Sequence, residues 1–255
     1  VKHLTGTWIN VSEQAGIATV AMRRPPANAI DIPFLEQLDD VLTTIEQRPD
    51  ISAMVLTGSD KVFSAGLDLK RIPDFSRAQQ NRLIAVLNQA LCRLYAMPMP
   101  VVAAMNGHAI AGGLVLALAC DHRVAVDQDA LFGLTEVRVG VPYPQAAITI
   151  VETELSPAVA RELVLVGENH GSAKALALGV VDELQPAEAV LSRSQARAQE
   201  LGSAPRQGYR AIKHQLRRAA LAEIRRAIAE KDPLHDNWLS SETKAAAERM
   251  LQSRR

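Results

Sequence analysis

Val101-Val102-Ala103-Ala104-Met105-Asn106-Gly107-His108-Ala109-Ile110-Ala111-Gly112-Gly113-Leu114-Val115-Leu116-Ala117-Leu118-Ala119-Cys120 carries three structural instructions in one run. Met97-Pro98-Met99-Pro100 ends whatever precedes it, because proline supplies no amide donor and crowds the preceding turn. Val101–Met105 then reads as a strand buried on both faces, and Leu114 to about Cys120 as a small apolar helix. Between them Asn106–Gly113 is a loop whose glycines permit positive φ and close approach of backbone to a ligand. A strand handing over to a helix in this way is the joint of a parallel sheet, since parallel strands need crossovers. The run is not a membrane span. Asn106, His108 and its glycines interrupt it before it reaches the roughly 18 apolar residues required.

The same grammar recurs on both sides. Upstream, Thr7–Ser12 and Gly16–Met22 form a hairpin signal, Ile32–Glu46 has helical apolar spacing behind an Asp31 N-cap, and Ser52–Thr57 is a short strand. Ala78–Ala96 is a long amphipathic helix, so the pattern suggests repeated ββα units. Downstream, Asp121–Val126 is a strand and Leu131–Glu136 another extended piece. From about Ser156 the chain is nearly all helix: Pro157–Val166, Ala173–Leu178, Ala187–Leu201, Gln207–Arg218 and Leu234–Leu251. The expected organisation is one α/β body over residues 1–195 with a helical C-terminal region over 196–255.

Composition agrees. Of 255 residues 48% are hydrophobic and only 4% aromatic, so the core is built from Ala, Val, Leu and Ile, as suits α/β packing. With 28 basic and 28 acidic side chains the chain is neutral, and its apolar content excludes a disordered polymer. The balance hides an asymmetry: residues 191–255 hold 14 Lys and Arg against 7 Asp and Glu, leaving 14 against 21 for residues 1–190. Such a tail suits a solvated helix face, a phosphorylated small molecule or the acidic body of another subunit. No zinc-finger spacing accompanies it, so nucleic acid is not expected. Cys92 and Cys120 fit no paired pattern and read as small core residues in a reducing, cytoplasmic compartment. Val1 to Thr7 lacks the apolar stretch of a secretory signal, though the missing Met leaves processing open.

Three segments can carry chemistry. Phe63-Ser64-Ala65-Gly66-Leu67-Asp68-Leu69-Lys70 and Asn106–Gly113 both place glycine where free N–H groups and a helix dipole would face a ligand. Aimed at one point, they would make an oxyanion hole; taken singly, each is equally a tight turn. The third is Glu136, between Leu134 and Val137. In an apolar wall its acidity would weaken toward neutrality and it would exchange protons; otherwise it is an exposed loop residue or the partner of Arg138. His122, His170, His214 and His235 have no metal-ligand spacing. Neither a G-x-S-x-G nor a Walker loop occurs.

Taken together, these segments resemble the enoyl-CoA hydratase/isomerase (crotonase) superfamily. Phe63 through Lys70 match its first glycine motif. Asn106 through Gly113 match its second, with Cys120-Asp121 following, and Phe132 to Pro142 match its Phe-Gly…Glu…Gly…Pro segment. Arg24-Pro25, Asn28-Ala29 and Ala173–Leu184 fit as well, and the similarity runs over residues 10–250. The resemblance implies a crotonase-like spiral of ββα units with a helical trimerisation region, in a homotrimer or dimer of trimers. It also implies a coenzyme A thioester in a crevice, with coenzyme A present only as part of the substrate and no other cofactor. By position, the N–H groups of Leu67 and Gly112 would hold the thioester oxygen. Ser64, Ala65, Gly66, Leu67, Asp68, Leu69 and Lys70, with Gly112 and Gly113, would line the substrate path. Lys213 would lie near the phosphates. Asp68 and Asp121 read as turn or cap residues, and His108 as a wall residue.

Hydratases of this family use two glutamates. Glu136 matches the second, while the first falls on Val115, which cannot hold or activate water. One carboxylate suffices for a 1,3-proton shift, and Gly113–Leu118 resembles the single-glutamate Δ3-Δ2-enoyl-CoA isomerases. Pro142-Tyr143-Pro144-Gln145 stands where a glycine pair is usual, and Glu248-Arg249-Met250 fits the hydratase-like ending only loosely. The expectation is an isomerase working through Glu136. The alternatives are a hydratase with a displaced acid, a thioester hydrolase, a decarboxylase, or a non-catalytic acyl-CoA-binding member.

Overall fold

The computed structural model describes residues 4, 5 and 7–252. Seven strands form the large sheet in the order β1-β2-β3-β4-β6-β8-β10. These are β1 (Leu4–Thr5), β2 (Ile9–Gln14), β3 (Ile17–Met22), β4 (Ala53–Thr57), β6 (Val101–Met105), β8 (His122–Val126) and β10 (Glu183–Gln185). The first pairings are antiparallel, and every pairing from β3 onward is parallel. A second, parallel sheet joins β5 (Val62–Ser64), β7 (His108–Ile110) and β9 (Phe132–Gly133) in that order.

The alternation between sheets is the repeat. β4, β6 and β8 each lie in the large sheet, and the strand after each lies in the small one. A helix follows each pair: α2 (Arg77–Ala96), α3 (Gly112–Leu118) and α4 (Gln145–Glu154). β2 and β3 lead likewise into α1 (Ile32–Glu46). This is the expected spiral of ββα units. All of β4 and β6 is buried, which is why their sequences are continuously apolar rather than alternating. Asp31 caps α1 by accepting the Phe34 amide at 3.1 Å, and Ser76 with Gln79 makes a capping box on α2.

The small-sheet strands β5 and β7 were not expected as strands. Only Phe132–Gly133 of the expected extended piece 131–136 is strand, and Glu136 opens a 3-10 turn, Glu136–Val139. Beyond it come α5 (Pro157–Arg161), a π turn Glu162–Val166, α6 (Ser172–Ala177), α7 (Val190–Gly202), α8 (Arg206–Leu216), α9 (Arg218–Glu230) and α10 (Ser241–Gln252). The expected division at 195/196 does not fall between elements. It would cut α7, which lies on β4, β6 and β8 and belongs to the body. The remainder also packs on the body: α9 lies on α2 and α4, and α10 on the Glu136–Val139 turn.

Candidate active site

The Gly66 loop is held in shape by the early Asn28. This buried residue donates from Nδ2 to the carbonyls of Val62 (3.0 Å) and Phe63 (3.1 Å), while Ser64 Oγ donates to its carbonyl at 2.8 Å. The Ile30 amide donates to the Gly66 carbonyl at 2.8 Å, and the Asp68 amide to that of Ile30 at 3.0 Å. These bonds leave the Leu67 N–H facing the other way. The Gly112 N–H opens α3, and among the described residues neither amide has a hydrogen-bond acceptor.

The two loops touch. Gly66 has φ +78, and a Cβ there would lie 2.9 Å from the Gly112 nitrogen; a Cβ on Gly112 would lie 4.0 Å from the Leu67 nitrogen. Only glycine permits both the left-handed backbone and this approach at 66. Two unpaired donors thus sit on closely packed loops whose residues Leu67 and Gly112 line the same cavity.

Beside them stands Glu136, buried, on the wall of two small adjoining cavities of about 20 and 40 Å³. Leu67, Gly112, Val115 and Tyr143 line the first, with Leu87 and Leu91 of α2. Ala65, Leu67, Leu69, Thr135 and Met250 line the second. Burial pushes the Glu136 carboxyl up to about 7, opposed by a hydrogen bond from the Tyr143 hydroxyl to Oε2 at 2.6 Å. Glu136 is therefore neither exposed nor paired with Arg138, whose side chain is exposed. Among the described residues lining the two cavities it is the single carboxylate, and Val115 presents no second.

Of the residues expected along the substrate path, Ala65, Leu67, Leu69 and Gly112 do line these cavities. Ser64 is fully buried, its hydroxyl engaged with the Asn28 carbonyl and the Gly66 amide, so its side chain shapes the loop instead. Gly66 and Gly113 serve as close-packing points between loops. Asp68 accepts the Lys70 amide at 3.2 Å and lies 3.8 Å from Arg24, while Lys70 is exposed. His108 Nδ1 accepts the Leu131 amide at 3.0 Å.

Lys213 is a correction. Its ammonium is buried against Asp121 (2.7 Å) and the Met99 carbonyl (3.2 Å), and Asp121 also takes Arg217 at 3.0 Å. Met99 and Asp121 precede β6 and β8, whereas the glycine loop follows β6 and β7, so Lys213 sits at the opposite end of the parallel strands from Gly112. It braces α8 against the sheet.

Sequence reasoning missed Tyr143, whose hydroxyl reaches back seven residues to Glu136. It also missed the return of α10, where Thr243 Oγ1 donates to the Gly140 carbonyl at 2.8 Å and Met250 reaches the cavity. Among the described residues no group of three or more His, Cys, Asp or Glu is placed to hold a metal, and no helix is long and apolar enough to cross a membrane.

The fold and site define a ββα-spiral protein with two unpaired backbone amides and one buried carboxyl on the wall of a small cavity. The chain belongs to the enoyl-CoA hydratase/isomerase family, the crotonase superfamily, whose pattern it matches over residues 12–253. It is 33% identical over 173 residues to the Probable enoyl-CoA hydratase EchA17 of Mycobacterium tuberculosis, a match covering 68% of this chain and 66%, just under two thirds, of the relative. The human mitochondrial delta3-delta2-enoyl-CoA isomerase superposes with a TM-score of 0.85 at 26% identity, covering 97% of this chain and 98% of that one. The enoyl-CoA hydratase EchA3 of Mycobacterium ulcerans gives 0.81 at 28%, covering 87% and 96%.

Proposed function

We propose that the protein is a Δ3-Δ2-enoyl-CoA isomerase. One observation carries this reading: among the described residues the cavity holds a single carboxylate, Glu136, together with the free N–H groups of Leu67 and Gly112, with Val115 where a second acid would stand. Bound with its thioester oxygen on those two amides, a 3-enoyl-CoA loses a C2 proton to the ionised Glu136. The electron pair moves onto the oxygen as a dienolate, which the amides stabilise. Glu136, now neutral, returns the proton at C4, and the double bond lies between C2 and C3. A carboxyl balanced near neutrality suits both halves of this exchange.

The shift is redox-neutral and needs no resident cofactor, coenzyme A entering as part of the substrate. Hydration asks for a second group to activate water, and the apolar wall of Leu87, Leu91, Val115 and Leu116 supplies none. Self-association as a homotrimer or dimer of trimers is part of the same proposal. The unpartnered face of α8, with Ile212 and Leu216 exposed, supports it.

The test offers the purified protein a 3-enoyl-CoA and, separately, a trans-2-enoyl-CoA, following the ultraviolet absorbance of the conjugated thioester. A rise with the first and no fall with the second is expected. A fall with the second shows that water is activated despite Val115 and overturns the single-acid reading.

A further inference from the structure

The segment after Glu136 is built to bring one phenol back onto it. Gly140, at φ +63, ends the 3-10 turn in the left-handed region, and the Val141 amide donates to the Glu136 carbonyl at 3.1 Å. The chain therefore reverses, and Tyr143 arrives between two prolines that restrict its backbone.

Both flanks are anchored. Trp238 Nε1 donates to the Pro142 carbonyl at 2.7 Å. On the other side the Gln145 amide donates to Asp232 Oδ2 at 2.7 Å and the Ala146 amide to Asn88 Oδ1 at 3.0 Å. Asn88 and Asp232 are themselves buried and joined at 2.8 Å. Three side chains from two segments distant in sequence thus fix the rotamer-bearing backbone of one half-buried tyrosine. A side chain held this firmly delivers its hydroxyl to one place.

That place is Glu136 Oε2, at 2.6 Å, inside an otherwise apolar cavity. We infer that Tyr143 is a positioning residue for Glu136: its hydroxyl holds Oε2 and leaves Oε1 to carry the proton between C2 and C4. The inference rests on the isomerase reading for the identity of those carbons. A carboxylate in a pocket with no second acid to orient it would otherwise rotate about its last bond, and the phenol removes that freedom.

The hydrogen bond also favours the ionised form, opposing the burial that pushes the carboxyl up. Other charged groups near the site are turned away. Arg138 is exposed, Lys244 of α10 pairs with Asp74, and Glu242, Glu248 and Arg249 of the same helix are exposed. Asp68 is turned toward Arg24 and the Lys70 amide. Among the described residues, no ionisable side chain but Tyr143 shares the cavity lining with Glu136.

The experiment is Tyr143→Phe, read two ways. Carboxyl carbon NMR of protein labelled at glutamate, with the Glu136 signal identified by its loss in Glu136→Gln, gives the ionisation midpoint without any assay of turnover. The midpoint is expected to rise by about one pH unit, the scale of a hydrogen bond to a charged group. Steady-state kinetics on a 3-enoyl-CoA at neutral pH should show kcat falling by about 10-fold or more, with KM changed by less than about 3-fold. A residue that merely fills space would lower stability or raise KM and leave the midpoint in place; an unchanged midpoint in a folded Tyr143→Phe protein overturns the inference. Wild-type protein inactive on 3-enoyl-CoA instead removes the isomerase reading, and the NMR titration still decides the pairing of Tyr143 with Glu136.

Discussion

Glu136 should make the folded protein less stable as pH rises, and replacing it with Gln should remove that dependence. Burial pushes its carboxyl from 4.5 to about 7. Below about pH 4.5 the group is protonated in both folded and unfolded chains and contributes no pH dependence. Between about 4.5 and 7 the unfolded chain releases this proton while the folded one keeps it. The folded state then binds more protons, and stability falls with pH. Each unit is worth 1.36 kcal/mol, so the penalty reaches on the order of 3 kcal/mol above pH 7 and then levels off. Glu136→Gln keeps the shape and an acceptor for the Tyr143 hydroxyl but cannot ionise. Its stability relative to wild type, by urea unfolding at pH values from 4 to 8.5, should climb by about 1.4 kcal/mol per unit through the middle of that range. The diagnostic is the slope, because the amide brings a constant offset of its own. A difference that stays flat with pH would mean that Glu136 ionises freely in the folded protein, and the buried-acid argument would fail.

The other outcomes follow from backbone and charge. Gly66→Ala puts a methyl 2.9 Å from the Gly112 nitrogen on a backbone at φ +78, so kcat on a 3-enoyl-CoA should drop by roughly 100-fold, with circular dichroism confirming a folded protein. Ala111 holds φ +54 and ψ −131 at the start of α3, which costs an L residue about 1 kcal/mol or more; Ala111→Gly should raise the urea midpoint, and a lower one would show that its methyl packing outweighs the strain. Lys213→Met should destabilise by about 2 kcal/mol, less than a wholly orphaned buried charge because Arg217 still faces Asp121, and should leave KM for acyl-CoA unchanged. If Glu136 must be ionised to act, kcat/KM should rise with pH through a midpoint near 7 and stay level above it.

The body was legible where one element obeys one rule. Ile32–Glu46 and Val101–Met105 have the bounds that apolar spacing and the flanking Asp31 and Pro100 dictate. β5, β7 and β9 span only two or three residues, too few to display a period, so the small sheet is visible only once the chain is folded. α9 was hidden for the opposite reason. It follows α8 with no proline or glycine between them, and at the break Arg217 turns its side chain inward to Asp121 and the Tyr95 carbonyl. The helix expected from Leu234 begins at Ser241, because Asp232 and Asp236 spend their carboxylates on the Leu234 amide, Asn81 and His235 in a turn.

At the site, what could be read was the placement of groups carried on short motifs. Gly66, Gly112 and Glu136 come together as expected, and Val115, where the family resemblance puts a second acid, lines the same cavity as Glu136. What could not be read were groups defined by where a distant segment delivers them. Lys213 is basic and lies in a basic tail, but charge says nothing of the direction in which α8 faces, and Asp121 claims the ammonium at the far end of the strands. Tyr143 looks like a loop aromatic until Gly140 turns the chain and Trp238, Asn88 and Asp232 pin its flanks. These two cases share a cause. A buried polar group must find a partner, and in a spiral of ββα units that partner comes from another turn of the spiral or from the returning C-terminal helices. The same packing that buries Glu136 therefore brings to it the Tyr143 hydroxyl that holds Oε2.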